Sequence, residues 1–235
     1  MGLSQATGGG RSEADDMIKG KVGKDTQVGL GSLRGGSTIS TVVEAYYDDW
    51  AADYNENLRS WNYRTPEEAA TQLAPYLPVD ARILDVGCGT GMFAEALLAR
   101  IACAVTGVDI SNASLELAKR RGVYARLQRY DLQDTPFPFL DDGFDAAASV
   151  GVMTYIARPG VFLTELCRIV RPGGHILFTH RDDRWRENCF DALIQNIEEQ
   201  GLWTILDVSE ARPYMPGNED FADNIKVIFI LCCVR

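Results

Sequence analysis

Eleven residues, ILDVGCGTGMF from Ile83 to Phe93, restrict what this chain can fold into. The run Ile83–Val86 reads as a buried strand. It ends in glycines at alternate positions, Gly87, Gly89 and Gly91, and a helical pattern follows at once. A strand that passes straight into a helix is the unit of an open α/β sheet, and ligands in such sheets sit at the carboxyl ends of the strands. Glycines in the turn let a ligand approach without meeting a Cβ. The helix behind them offers free N–H groups and the positive end of its dipole, which suit a carboxylate or a phosphate. The dinucleotide fingerprint G-x-G-x-x-G/A is not met, because Met92 stands where the third small residue belongs. The pattern here is D-x-G-x-G-x-G, with Asp85 inside the strand end.

Strand and helix patterns alternate around that turn. Strands are expected at 82–86, 104–109, 124–129, 144–149 and 175–180, and helices at 91–101, 111–121, 159–170 and 183–200. Ser111 suits the N-cap of the second of these helices. Arg171-Pro172-Gly173-Gly174 reads as a turn that feeds strand 175–180. Alternation of this kind implies a parallel sheet covered on both faces. The rhythm breaks near the end, where strand patterns at 202–208 and 226–234 are joined by a loop-like stretch. Without a crossover helix those two strands are expected to be antiparallel. The result is an α/β fold with about seven strands, the last one reversed.

Ahead of the sheet, Val42–Leu58 carries apolar and aromatic residues at 43, 46, 47, 50, 51 and 54, a helical spacing. A second helix is expected from Thr65-Pro66-Glu67-Glu68 to about Tyr76, with Thr65 as N-cap and Glu68 closing a capping box. Residues 1–40 hold 10 of the 22 glycines and no aromatic residue. Such a segment buries too little apolar area to offset its ordering entropy. A disordered Gly/Ser-rich tail is therefore expected over 1–40, and one folded domain over 41–235.

Composition excludes some partners. The formal net charge of -10 repels phosphate backbones, which argues against a nucleic-acid substrate. The six cysteines form no C-x-x-C pair and there are only two histidines, so no metal site is expected. The cysteines lie in apolar segments, as small core residues do, and point to a reducing, cytoplasmic setting. The longest apolar run, Val227–Val234, is far short of the roughly 18 residues that span a bilayer. No secretory segment follows Met1, and Ala6 stands where myristoylation requires Ser or Thr.

Two more acids extend the glycine turn. Asp109, in VTGVDIS, ends the strand after the turn, and Asp131, in RYDLQD, ends the next. A carboxylate at position 109 can accept both hydroxyls of a ribose. Taken singly, Asp85 could brace a turn, Asp109 could cap the helix at Ser111, and Asp131 could be solvated. Three acids at three successive strand ends beside a glycine turn favour a ligand.

At this point the chain resembles a known family. ILDVGCGTG, VTGVDIS, YDLQD, FDAAASVGVMTYI and RPGGHILFTH look like the successive motifs of the class I S-adenosylmethionine-dependent methyltransferases, over roughly residues 42–235. YYDDWAADYNENL and NYRTPEEAA look like the methyltransferase-11 group, and within it the Williams–Beuren-region methyltransferase-like proteins. The resemblance implies a three-layer α/β/α Rossmann-like fold, strand order 3-2-1-4-5-7-6, and S-adenosyl-L-methionine as cofactor. It further implies that Asp85 and the backbone of Gly87, Cys88 and Gly89, in the turn that Gly91 closes, meet the methionyl group. Asp109 would hold the ribose and Ile110 the adenine face. Asp131 and Leu132 would meet the adenine edge, and Ser149, Val150 and Gly151 the methyl-donor side. Tyr54, with Trp50, would close the cofactor from the first helix, and Arg64 would pair with its carboxylate. Met153-Thr154-Tyr155 stand where many relatives carry two histidines or similar polar residues.

The catalytic candidates are His180 and Tyr155, with Arg181 beside them at the end of the fifth strand. A strand-end histidine can equally be a structural hydrogen-bonder. Trp185 and Phe190 are expected in the core, and Tyr214 and Met215 near substrate. The expected activity is methyl transfer to a small molecule or a protein side chain. A cofactor-binding but catalytically silent interaction protein is the alternative, and Met92 argues against a nicotinamide oxidoreductase.

Overall fold

The computed structural model describes residues 35–219, 221 and 224–235. The tail expected over 1–40 lies outside the described residues as far as residue 34. The exposed Gly35 carbonyl accepts from Arg184 Nη2, and Gly36 lies against Thr154.

Two helices precede the sheet, α1 (Ser40–Ser60) and α2 (Thr65–Leu73), the latter ending in a 3-10 turn at Ala74–Tyr76. Then follow β1 (Ala81–Val86), α3 (Met92–Leu98), β2 (Cys103–Asp109), α4 (Asn112–Arg121), β3 (Arg126–Arg129) and β4 (Phe144–Ser149). A 3-10 turn at Met153–Tyr155 leads to α5 (Pro159–Ile169), β5 (Val170–Arg181), α6 (Asp182–Glu187) and α7 (Phe190–Glu199). The described chain closes with β6 (Trp203–Val208), the two-residue β7 (Arg212–Pro213) and β8 (Lys226–Val234). No helix among the described residues is long and apolar enough to cross a membrane.

The strands form one sheet in the order β3-β2-β1-β4-β5-β8-β6, with β7 added beside β8. The first five are mutually parallel, and β8 runs antiparallel to both β5 and β6. Parity sorts the core, because successive side chains of a strand point to opposite faces. Leu84, Val86, Ala147, Ile176, Phe178, Ile230 and Cys232 join Phe162, Leu166, Phe190 and Trp203 on one face. Ile83, Ala146, Ala148, Leu177, Phe229 and Leu231 join Leu73, Phe93 and Leu97 on the other. A sheet buried on both sides needs strands that are apolar at nearly every position, which is how β4, β5 and β8 read.

Four local expectations need correction. Arg64, not Thr65, is the N-cap of α2; the helix starts at Thr65 with no side-chain cap bond, so there is no capping box. Arg171–Gly174 is not a separate turn: it belongs to β5 as an irregularity, the register jumping from Phe144↔Val170 to Ala146↔His175. The helix expected over 183–200 is two helices, broken at Cys189, which adopts φ +48°. Strand β3 begins at Arg126 rather than at 124.

Strand β8 is the central antiparallel strand of this core. Ile230→Ala, at a position with no exposed surface, is expected to cost about 2–5 kcal/mol. Leu206→Lys, on the exposed part of edge strand β6, should stay within about 0.5 kcal/mol. Urea unfolding of the two variants measures both values.

Candidate active site

The chain fills the sheet outward from β1 to β3 and then returns to β4 on the other side of β1. Such a switch in strand order opens a crevice at the carboxyl ends of the strands. An open cleft lies there. The β1–α3 turn and the end of β2 contribute Gly87, Gly89, Asp109 and Ile110. The loop after β3 gives Asp131, Leu132 and Gln133, and the segment after β4 gives Val150, Gly151, Val152, Tyr155 and Ile156. Helix α1 adds Ser40, Val43, Tyr47 and Tyr54. No lysine or arginine is among these lining residues.

Backbone geometry makes the turn a cradle. Gly87 has φ +73°, and a Cβ there would come 2.3 Å from Val152 Cγ2. Gly89 has φ +50°, and a Cβ there would meet nothing within 4 Å, so its bare side opens on the cleft. The turn is also tied down, since the amides of Gly87 and Cys88 both donate to the Val108 carbonyl, at 2.8 and 2.9 Å.

Asp109 is the polar centre of the cleft. Its Oδ2 accepts the Gly89 N–H at 2.8 Å and its Oδ1 accepts the Ser111 N–H at 2.9 Å. Each carboxylate oxygen has a second lone pair for a ligand hydroxyl. Burial raises the Asp109 pKa, and the amide bonds oppose that shift. Asp85 is deeper, at the wall of a small adjoining space with Tyr63, Cys88 and Thr90. It accepts the Tyr124 hydroxyl at 2.6 Å, and burial pushes its pKa up to about 7, against the lowering effect of that bond. Asp131 accepts the Gln133 N–H at 2.9 Å. The Gln133 amide then reaches across the cleft edge, donating to the Tyr155 carbonyl at 2.6 Å and accepting the Ala157 N–H at 3.1 Å.

Helix α1 covers the cleft through an aromatic stripe at Tyr47, Trp50 and Tyr54. Trp50 and Tyr54 meet edge to face, 4.6 Å between centroids. Its other side is clasped to the domain at three points. Glu44 pairs with Arg129 Nη2 at 2.6 Å. Asp48 accepts the Ser111 hydroxyl at 2.6 Å and the Ala113 N–H at 3.1 Å. Asn55 accepts the Thr90 hydroxyl at 2.6 Å and Arg121 Nη2 at 3.2 Å.

A second pocket, of about 440 Å³, adjoins the cleft through Tyr47, Tyr54, Val150, Gly151 and Tyr155. Trp50, Tyr63, Thr154, Arg181, Tyr214, Met215 and Phe221 complete much of its wall. Burial raises the pKa of Tyr47, Tyr54, Tyr63, Tyr155 and Tyr214, so their phenols are protonated at neutral pH. Gly151 is needed here: a Cβ would lie 3.2 Å from the Tyr63 hydroxyl and 3.3 Å from that of Tyr214. Arg181 donates through Nε to Asp183 Oδ1 at 3.0 Å and lies over the Phe221 ring.

The structure thus brings together Tyr54, Asp85, Gly87, Cys88, Gly89, Asp109, Ile110, Asp131, Leu132, Val150, Gly151 and Tyr155, with Trp50, Tyr214 and Met215 in the adjoining pocket. It places four others elsewhere. Gly91 lies behind the turn, where a Cβ would sit 2.9 Å from the Tyr124 ring. Ser149 is fully buried, its hydroxyl without a hydrogen-bond partner, and Arg64 is exposed at the start of α2; neither lines the cleft. His180 lies on the opposite face of β5, edge-on to Phe190 at 4.4 Å, because strand parity gives Thr179 and Arg181 the face toward the cleft. Trp185 and Phe190 are core residues, as expected. Sequence reasoning missed Gln133, although it lies in the YDLQD motif beside Asp131 and Leu132, and Tyr124, which lies in no motif. It also missed Tyr47 as a site residue, although its spacing from Trp50 and Tyr54 marks one helical stripe.

Known proteins agree with this geometry. Residues 84–178 match a family described as a methyltransferase domain, of the methyltransferase-11 group. The chain is 35% identical over 165 residues to human methyltransferase-like protein 27, covering 67% of this chain and 66% of that protein. It is 36% identical over 129 residues to a fatty-acid O-methyltransferase of Mycolicibacterium smegmatis, covering 52% of this chain and 46% of the relative. The chain therefore spans less than two thirds of the length of either relative. Among solved structures, a TehB-like S-adenosylmethionine-dependent methyltransferase of Corynebacterium glutamicum superposes with a TM-score of 0.62 at 21% identity, over 81% of this chain and 99% of that one. The family's cofactor, S-adenosylmethionine, fits what is built here: a turn open at Gly89, a carboxylate with free lone pairs beside it, and no lysine or arginine among the described lining residues. With fold, matched domain and human relative in accord, the chain belongs to the class I S-adenosylmethionine-dependent methyltransferase family.

Proposed function

We propose that this protein transfers a methyl group from S-adenosylmethionine to a small molecule held in the tyrosine-walled pocket. The observation that carries this reading is the continuity of the two spaces, which share five lining residues. The bound cofactor supplies a methyl group on a sulfonium, displaced in line by the acceptor. The chain itself binds and aligns. Asp109 takes the ribose hydroxyls and keeps Gly89 in place. Asp85 takes the cofactor's ammonium. Asp131, Leu132 and Ile110 border the adenine, and Tyr54 and Tyr47 close over the sugar. Alignment of two reactants can account for about 7–11 kcal/mol of a barrier.

The pocket offers no strong base. Its five phenols are neutral, and the only imidazole on β5's carboxyl end, His180, faces away. The acceptor atom therefore brings its own lone pair, as a carboxylate, a thiolate or a neutral amine does. Tyr155 acts as a positioning group, its ring edge to face with that of Tyr47, 5.7 Å between centroids. Trp50, Leu58, Met215 and Phe221 form the apolar part of a wall that tyrosine hydroxyls, Thr154 and Arg181 make polar elsewhere. A panel of small acids, thiols and amines, assayed for methyl transfer from labelled cofactor, tests the reading. Tight cofactor binding with no turnover on any of them would leave a silent, cofactor-binding role.

Asp109→Ala is expected to weaken cofactor binding by about 2 kcal/mol, roughly thirtyfold, through lost charge-assisted hydrogen bonds; calorimetric titration reads it. Asp85 predicts a pH dependence. Its carboxyl is raised to about 7 in the free protein, and an ammonium partner favours the ionised form. Binding then releases a proton, so affinity rises as pH increases through about 7 and levels off above. Asp85→Asn should remove that slope. For Tyr155→Phe, a fall in kcat/KM of less than about a hundredfold is expected, below the range of general acid–base groups.

A further inference from the structure

Gly107 stands inside β2, where a glycine weakens a strand and marks a close approach. Its register partner on β1 is Asp85. A Cβ at Gly107 would come 2.7 Å from Tyr124 Cε1, 2.8 Å from Leu127 Cδ2 and 2.9 Å from Cys88 Sγ. Gly91 makes room from the turn, where a Cβ would lie 2.9 Å from Tyr124 Cε2. Two glycines on two segments thus leave a slot that one ring fills. Tyr124 comes from the short link between α4 and β3. Arg121, the last residue of α4, ties that link to the turn, its Nε donating to the Thr90 carbonyl at 2.6 Å.

The slot brings the Tyr124 hydroxyl to Asp85, where it donates to Oδ2 at 2.6 Å. Among the described residues no other side chain donates to this carboxyl. Asp109 and Cys88 are its other titratable neighbours. Tyr54 and Tyr63 stand with it on the wall of the small space beside the cleft, and no lysine or arginine is among the described residues of that wall. Burial raises the pKa of Tyr124, Cys88, Tyr54 and Tyr63, so all four keep their protons at neutral pH. The Tyr124 hydroxyl is therefore the donor in its bond, and Asp85 and Asp109 are the groups that change charge. Burial and the charge of Asp109 both favour the protonated form of Asp85, and the Tyr124 bond opposes them. A hydrogen bond given to the charged form stabilises that form.

We propose that Tyr124 is a positioning residue for cofactor binding, its hydroxyl keeping Asp85 ionised beside the glycine turn. The role rests on the reading of Asp85 as partner of the cofactor's ammonium. Tyr124 lines neither the cleft nor the small space beside it, and acts through Asp85. Without its hydroxyl, burial and Asp109 leave Asp85 a neutral acid, which has no charge to offer an ammonium. Affinity is then lost near pH 7 and regained at higher pH, where Asp85 ionises unaided. A tyrosine that only filled the slot would, on losing its hydroxyl, change affinity by one factor at every pH.

Tyr124→Phe keeps the ring and removes the bond. Calorimetric titration of the full chain with S-adenosylhomocysteine, which carries the same ammonium, is run from about pH 6 to about pH 9. The midpoint of the affinity profile is expected to move up by about one pH unit. The variant then binds about fivefold more weakly than the parent at pH 7 and within about twofold of it at pH 9, which also shows that it is folded. Carbon-13 NMR of the Asp85 carboxyl in the free protein should show the same upward move. In the Asp85→Asn background, Tyr124→Phe should leave the profile unchanged. The proposal is overturned if the Asp85 carboxyl titrates at the same pH with and without the hydroxyl. It is also overturned if Tyr124→Phe weakens binding by the same factor at every pH, or if the loss at pH 7 persists in the Asp85→Asn background. A carboxyl that moves while affinity is independent of pH in both proteins upholds the hold of Tyr124 on Asp85 and overturns instead the ammonium assignment.

Discussion

The carboxylate of Asp109 accepts the amides of Gly89 and Ser111 at once, and so holds the glycine turn against the start of α4. Ser111 in turn donates its hydroxyl to Asp48 on α1 and accepts the Ser114 amide as the N-cap of α4. A single path of hydrogen bonds thus runs from the turn through β2 to the helix that covers it. A carboxyl group turned away from water is costly unless it is hydrogen-bonded. Here the backbone supplies those bonds before any ligand arrives, so the site is preorganised. The same bonds leave only the outward lone pairs of Asp109 open to a ligand.

Helix α1 serves the cleft with one side and the domain with the other. Tyr47, Trp50 and Tyr54 lie on the cleft side, while Glu44, Asp48 and Asn55 reach Arg129, Ser111, Thr90 and Arg121. Much of this helix is only half-buried, with Ala51 and Leu58 its fully buried residues. Its hold on the sheet therefore rests on polar clasps and aromatic edges more than on a deep apolar face. Helices α2 and α3, by contrast, bury Leu73, Phe93 and Leu97 in the same core that receives Leu58.

Much of the fold was legible because the local signals agreed. Glycines 87 and 89 marked a turn that needed positive φ, Ser111 marked a helix start, and the missing crossover before Lys226 marked an antiparallel strand. The place of Asp109 and Asp131 on the cleft was legible because strand ends in such a sheet face one crevice. What failed depended on tertiary context. Thr65 reads as a cap, yet it is buried as the first residue of α2 and the chain begins the helix one residue earlier. Cys189 adopts a left-handed conformation that no residue preference announces. Gln133 bridges two loops from a stretch with no periodicity, and Tyr124 meets Asp85 from 39 positions away.

His180 failed for a more general reason. On a half-buried strand, alternation of apolar and polar residues reveals which face each side chain takes. Strand β5 is buried on both faces: Ile176 and Phe178 lie on one side and Leu177 on the other, all without exposed surface. Its sequence therefore carries no parity signal, and the residues at its end divide between two environments that look alike in the sequence. Parity is set instead by the irregularity at Arg171–Gly174, which offsets β5 against β4, and by the Thr179 hydroxyl, which accepts the Gly151 amide at 2.8 Å on the cleft side. Once Thr179 faces the cleft, Arg181 must share its side and His180 must take the other. A shift of one residue in that irregularity would exchange them, and with them the charge on the wall of the tyrosine-walled pocket and the imidazole packed on Phe190.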